Sequence, residues 1–133
     1  LHKSTMTGNG YAEKITDFLS HNHLNKKAIS LLVCSQSGSM HPADQVEKAA
    51  LFSLWGDPGN TDAVFMAPKQ VFGEAESCSG LVLAATAAMA LKTKKIIPLD
   101  TLNSSRSIPG LEYALISFLS SCGAYSLVLL ERG

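Results

Sequence analysis

A chain of 133 residues with eleven basic and eleven acidic side chains carries no formal net charge, so it lacks the electrostatic footprint of a nucleic-acid binder or of a protein for anionic membranes. At 46% hydrophobic and 17% charged it is one domain's worth of chain with a modest core. The longest apolar run, Leu81 to Leu91, is broken by Thr86 and too short to span a bilayer, and no signal peptide is evident.

The first nine residues are polar, with turn signals around Gly8 and Gly10. Tyr11, Ala12, Ile15, Phe18 and Leu19 then recur at helical spacing and predict a helix from Tyr11 to Ser20. His21 to Lys27 reads as the loop that ends it. Ala28 to Cys34 is a continuous apolar run of β-formers and predicts a buried strand. A Ser/Gly loop from Ser35 to His41 leads to Pro42, placed where a helix start tolerates its missing N–H. The amphipathic pattern from Ala43 to Trp55 predicts a second helix, stopped by Gly56-Asp-Pro-Gly59.

Short strands are expected at Ala63–Met66 and Lys95–Pro98, with a helix from about Glu76 to Leu91 between them. The basic cluster Lys92-Thr-Lys-Lys95 complements the negative end of that helix. Asp100 to Gly110 is irregular. Tyr113–Phe118 and Tyr125–Leu130 read as adjacent strands joined through Ser120-Ser-Cys-Gly123. Strands alternating with helices and closing in a hairpin imply an α/β fold with a mostly parallel, mixed sheet and crossover helices. Cys34, Cys78 and Cys122 are odd in number and form no C-x-x-C pair, which fits reduced thiols in a cytoplasmic protein. The chain opens on Leu1 rather than Met and reads as a fragment or a processed form.

The helix Leu81 to Leu91 is apolar all the way round, and such a helix is expected to be covered on every side. One small sheet covers only one side, so the remainder calls for a second half of the protein or another chain.

The run Ala67-Pro-Lys-Gln-Val-Phe-Gly-Glu-Ala-Glu-Ser-Cys-Ser-Gly80 has the layout of the β-ketoacyl synthase signature S-x-K-x-x-x-G-H-T-x-x-A-x-G. Lys69, Gly73 and Gly80 keep the pattern, while Glu74 stands at the histidine. Upstream, Ser35-Gln-Ser-Gly-Ser-Met-His-Pro-Ala-Asp-Gln-Val-Glu47 resembles A-H-G-T-G-T-x-x-x-D-x-x-E. Aligned on Asp44 and Glu47, the first histidine position falls on Gln36; His41 lies five residues later, just before a helix start. Ser117-Phe-Leu-Ser-Ser-Cys-Gly-Ala124 keeps only the first two residues of S-F-G-x-G-G-x-N, so Leu119, Ser121 and Cys122 should fill or reshape the thioester end of the pocket. Leu1 to Gly10 is similar to the tail of D-A-x-H-x-T-x-P-x-x-x-G.

These landmarks, in order along the chain, resemble the C-terminal half of the β-ketoacyl synthases, with degenerate catalytic motifs. The resemblance implies a thiolase-like half with a central buried helix, residues 1–133 as one C-terminal-like domain, and an N-terminal half with the nucleophilic cysteine outside these residues. It implies no cofactor and no metal.

Condensation in that family needs a thiolate to hold the acyl chain and two imidazoles at the thioester carbonyl. Gln36 can still donate a hydrogen bond, whereas a carboxylate at Glu74 repels a developing oxyanion. Lys69 is expected to pair with an acid, Glu47 or Glu74, and to serve the structure. Cys78 begins a helix, where thiol pKa falls, but no histidine is placed to activate it.

No catalytic residue is therefore assigned. The expected role is a non-catalytic accessory partner, similar to chain-length-factor subunits of fatty acid, polyketide or aryl-polyene synthesis. It would form a homodimer, or a heterodimer with a ketosynthase, and meet an acyl carrier protein. The alternative is a divergent acyl transferase or 3-oxoacyl synthase that works only together with an N-terminal half.

Overall fold

The apolar periodicities resolve into four helices around a four-stranded sheet in a computed structural model that describes residues 6–73, 78–101 and 104–133. Helix α1 (Gly8–His21) starts three residues earlier than expected, at the end of the polar segment, where the Thr7 hydroxyl accepts from the Gly10 amide and caps it. Gly8 lies where α1 crosses the second helix, and a Cβ there would come within 2.9 Å of the Ala49 Cβ. A one-turn 3₁₀ segment, Lys26–Ala28, takes the first residues assigned to the first strand, so β1 is shorter, Leu31–Cys34. Helix α2 (Pro42–Trp55) begins at the predicted proline and ends at Gly56.

β2 (Val64–Met66), α3 (Pro68–Phe72) and α4 (Ser79–Thr93) follow. Of the run expected to start the long helix, residues 76–77 lie outside the described residues. β5 (Tyr113–Leu119) and β6 (Tyr125–Glu131) form the closing hairpin in register Ser117↔Leu127. The sheet order is β2-β1-β5-β6, with β2, β1 and β5 parallel and β6 antiparallel. The mostly parallel mixed sheet is thus as expected.

The strand at Lys95 differs from expectation. It is two residues long (β3, Lys95–Ile96) and pairs outside the main sheet with β4, Arg106–Ser107, inside the stretch read as irregular. Lys94 adopts a left-handed conformation (φ 55°) at the end of α4. The chain therefore turns away before it can reach the sheet edge.

Alternation along β1, β2 and β5 divides the interior in two. Leu32, Cys34, Phe65, Leu115 and Leu119 face α1 and α2, with Tyr11, Ile15, Ala50 and Leu51. Leu31, Val33, Val64, Met66, Ala114 and Ile116 face α4, with Leu83, Ala87, Ala90 and Leu91. The first layer has two helices packed side by side. The second has α4, whose outer side leaves Leu81 74% and Met89 66% exposed, beside Phe72 of α3 at 73%. No helix among the described residues is long and apolar enough to cross a membrane.

Candidate functional site

The carboxyl ends of β1 and β5 lie side by side, with Cys34 paired to Ser117 in parallel register. The loops that leave them wall a cleft of about 370 Å³, with Lys69 of α3 on the third side. Ser35, Ser37, Ser39 and His41 come from the β1–α2 connection, Phe118 and Leu119 from the end of β5, and Ser120 and Ser121 from the β5–β6 turn. That turn is closed by Ser120 N donating to Ala124 O (2.8 Å) and Gly123 N to Ser120 O (3.0 Å), with Gly123 at φ +86°.

The serine-rich loop is held from inside. One oxygen of Asp44 accepts from the Ser37 amide (3.0 Å) and from the hydroxyls of Ser37 (2.8 Å) and Ser39 (3.1 Å). His41 is the N-cap of α2: its Nδ1 accepts from the Ala43 amide at 3.1 Å. That bond leaves the proton of the neutral ring on Nε2. The Lys69 ammonium lies 5.0 Å from the centre of the Phe118 ring, within cation–π range.

Beneath the cleft is a buried polar network. Glu47, inside α2 and 0% exposed, accepts through Oε2 from Ser35 Oγ (2.9 Å) and Ser117 Oγ (2.7 Å). Ser35 Oγ accepts from the Leu119 amide (3.1 Å), and Tyr11 Oη lies 2.6 Å from Ser117 Oγ. Burial pushes the Glu47 carboxyl up to about 7, against the two serine hydroxyls that favour its charged form. Burial likewise raises Tyr11 and Cys34.

The sequence profile of the β-ketoacyl synthase C-terminal domain matches residues 2–103. The chain belongs to that family. Among solved structures it is similar to the oxazolomycin ketosynthase domain OzmH KS8 of Streptomyces albus JA3453. The two are 15% identical with a TM-score of 0.79, over 98% of this chain and 40% of that one. This likeness establishes the thiolase-like ketosynthase fold, of which the chain spans less than half. No match was found among curated proteins.

The family motifs can then be located. Lys69 lines the cleft, and so do Ser35, Ser37 and Ser39 of the first histidine motif. Gln36, at the histidine position itself, lines a neighbouring cleft of about 510 Å³ with Lys48, Phe52 and Gln70. It is 5% exposed, and its Nε2 is buried with no hydrogen-bond partner among the described residues. Glu74, at the second histidine position, lies outside the described residues. Gly73 ends α3 at φ +80°, a conformation that favours glycine.

Of the two acids expected to pair with Lys69, Glu74 lies outside the described residues and Glu47 is engaged elsewhere. Glu47 takes its partners from Ser35 and Ser117, because it lies one layer below the cleft while Lys69 lies over Phe118. The loop residues Leu119 and Ser121 wall the cleft, and Cys122 Sγ lies 3.0 Å from Ser120 Oγ. Cys34 is buried and donates to Met66 O at 3.1 Å, while Cys78 is exposed at the start of α4. No local pattern announces Tyr11, Ser35 and Ser117 as partners of Glu47; Tyr11 and Ser117 are 106 residues apart.

Proposed function

We propose that this ketosynthase-family half, a single C-terminal-like domain over residues 1–133, is non-catalytic on its own and acts by association. It would be an accessory partner of a condensing enzyme in cytoplasmic fatty acid, polyketide or aryl-polyene synthesis. The observation that carries the reading is the chemistry of the cleft beside Lys69. Among the described residues its walls are hydroxyls, the Asp44 carboxylate that holds them, the apolar Ala43, Phe118 and Leu119, and one imidazole tied through Nδ1 to the first turn of α2. Condensation asks for two imidazoles on a thioester carbonyl beside a thiolate. The family's two histidine positions carry Gln36 and Glu74, and Cys34 is sealed in the core.

The outward side of α4 supports the association. Leu81 and Met89 there, with Phe72 and Val71 of α3, form an exposed apolar surface, and surfaces of this kind mark partner contacts. The proposed partner is a ketosynthase-family chain, or a second copy, with an acyl carrier protein served by the complex.

One observation favours the alternative of an acyl transferase completed by an N-terminal half. His41 shares the cleft with Lys69 and keeps an Nε2–H that can donate to an oxyanion. The two readings separate when the chain, alone and supplemented with the N-terminal half of a ketosynthase-family protein, is incubated with acyl and malonyl thioesters and analysed by intact mass and product formation. The accessory reading expects no condensation product and no acyl adduct on any of the three cysteines. A product whose formation falls with His41→Asn would overturn it in favour of the alternative.

A further inference from the structure

The hydrogen positions in the Glu47 network follow from counting. A serine hydroxyl has one hydrogen to give. Ser117 gives its hydrogen to Glu47 Oε2, so Tyr11 must donate to Ser117 Oγ; Ser35 gives its hydrogen to the same oxygen while accepting from the Leu119 amide. Every hydrogen bond in the chain therefore runs toward Glu47 Oε2. Its other oxygen, Oε1, is buried with no hydrogen-bond partner among the described residues. As a carboxylic acid the group holds its proton on Oε1, where one neutral hydroxyl lacks a partner, and leaves the network intact. As a carboxylate it leaves half of a buried anion unpaired, and such a group costs free energy until water or a donor reaches it.

The titratable groups around Glu47 do not relieve this. Tyr11 faces it from α1, Cys34 from β1 and Asp44 from its own helix, and each is neutral or negative. From β5 it meets Ser117, which does not titrate. Lys69, the cation of the cleft above, lies over the Phe118 ring.

Two members of the network belong to the cleft itself. Ser35 opens the serine loop on one wall, and Leu119 ends β5 on the other. The bond from the Leu119 amide to Ser35 Oγ (3.1 Å) is the seam between the walls. Next to Ser35, the buried Nε2 of Gln36 also lacks a hydrogen-bond partner among the described residues. Water admitted at this point would satisfy unpaired atoms under the same loop.

We propose that Glu47 is a proton-operated latch on the cleft of Lys69 and His41: protonated, it holds the Ser35–Leu119 seam closed, and ionised, it draws in water and loosens that seam. The latch rests on the buried geometry alone and not on whether the cleft is catalytic.

The test is site-resolved amide exchange of Leu119, corrected for intrinsic rates, together with a carboxyl ¹³C titration of Glu47 in the intact chain. The expected result is that protection of Leu119 falls by about tenfold or more between about pH 6 and about pH 8, with the midpoint of the Glu47 signal. In Glu47→Gln, which keeps the shape and cannot ionise, the dependence should vanish. His41 also lines the cleft, so His41→Asn, which retains an N-cap, should keep the dependence. Protection that is flat in the native chain, or that tracks a midpoint other than that of Glu47, overturns the latch. So does a dependence lost in His41→Asn. The midpoint comparison decides the matter in the native chain even if Glu47→Gln does not fold.

Discussion

Helices α2 and α4 are nearly the same length, 14 and 15 residues, and pack on opposite faces of one sheet, yet they live in different surroundings. α2 shares its layer with α1, buries Ala50 and Leu51, and carries Glu47 into a network of Tyr11, Ser35 and Ser117. α4 is the long helix of the second layer, with only the short α3 beside it among the described residues, and its apolar buried positions form one stripe, Leu83, Ala87, Ala90 and Leu91. Its outward positions Leu81 and Met89 are as apolar as its inward ones. The difference teaches that the α1–α2 layer buries both its helices against each other and the sheet, whereas the α4 layer ends in an exposed apolar surface. A polar network is affordable where the surroundings are closed; an apolar surface makes sense where a partner closes it.

The comparison is broken most strongly by truncating the core. Leu51→Ala in the closed layer and Leu83→Ala on the inner stripe of α4 remove side chains that are 0% exposed. Each should lower unfolding free energy by about 2–5 kcal/mol in denaturant titrations. Equal losses are expected, because both stripes face the sheet.

Next in size is the pH dependence carried by Glu47. Its folded value of about 7 lies above the ordinary 4.5, so the folded chain holds the proton over a range where the unfolded chain has lost it. The stability from this group is complete below about pH 4.5 and is lost as pH rises through about 7. The total is about 3 kcal/mol, since each unit is worth about 1.4 kcal/mol. Glu47→Gln should remove that slope, which urea titrations at stepped pH would read.

Ser117→Ala should cost about 1–3 kcal/mol, since it strands the buried Tyr11 hydroxyl and halves the donors to Glu47. The smallest effect is expected on the open face. Leu81→Ser and Met89→Ser, changed singly in the isolated chain, should stay within about 0.5 kcal/mol of the native stability. A loss as large as that of Leu83→Ala would mean that α4's outer side is already packed within this chain.

Much of the architecture was legible in the residues. The periodicity of Tyr11, Ile15 and Leu19 marked α1, and Pro42 and Gly56 bracketed α2. The all-apolar run from Leu81 to Leu91 foretold a helix that this chain alone does not cover. The pair β3–β4 was not legible, because two-residue strands held by a left-handed turn at Lys94 leave no period to read. The order of the family landmarks located Lys69 and the serine loop. It did not reveal that Glu47 would take hydroxyl partners, because Ser35 and Ser117 meet through the parallel pairing of β1 with β5 and Tyr11 reaches Ser117 from α1. Nor did it reveal that Gln36 would line a different cleft from Lys69, which depends on the course of the loop after Cys34.

The central claim, that this ketosynthase-family half works by association through its open layer, is tested most directly by affinity capture from native lysate. The tagged chain would be compared with a Leu81→Asp/Met89→Asp double variant, with copurifying chains identified by mass spectrometry. The account predicts that the native chain brings down a cysteine-bearing ketosynthase-family chain or an acyl carrier protein, and that the double variant, still folded, does not. A chain that emerges alone and monodisperse, or that retains its partner despite two charges on α4, would contradict it.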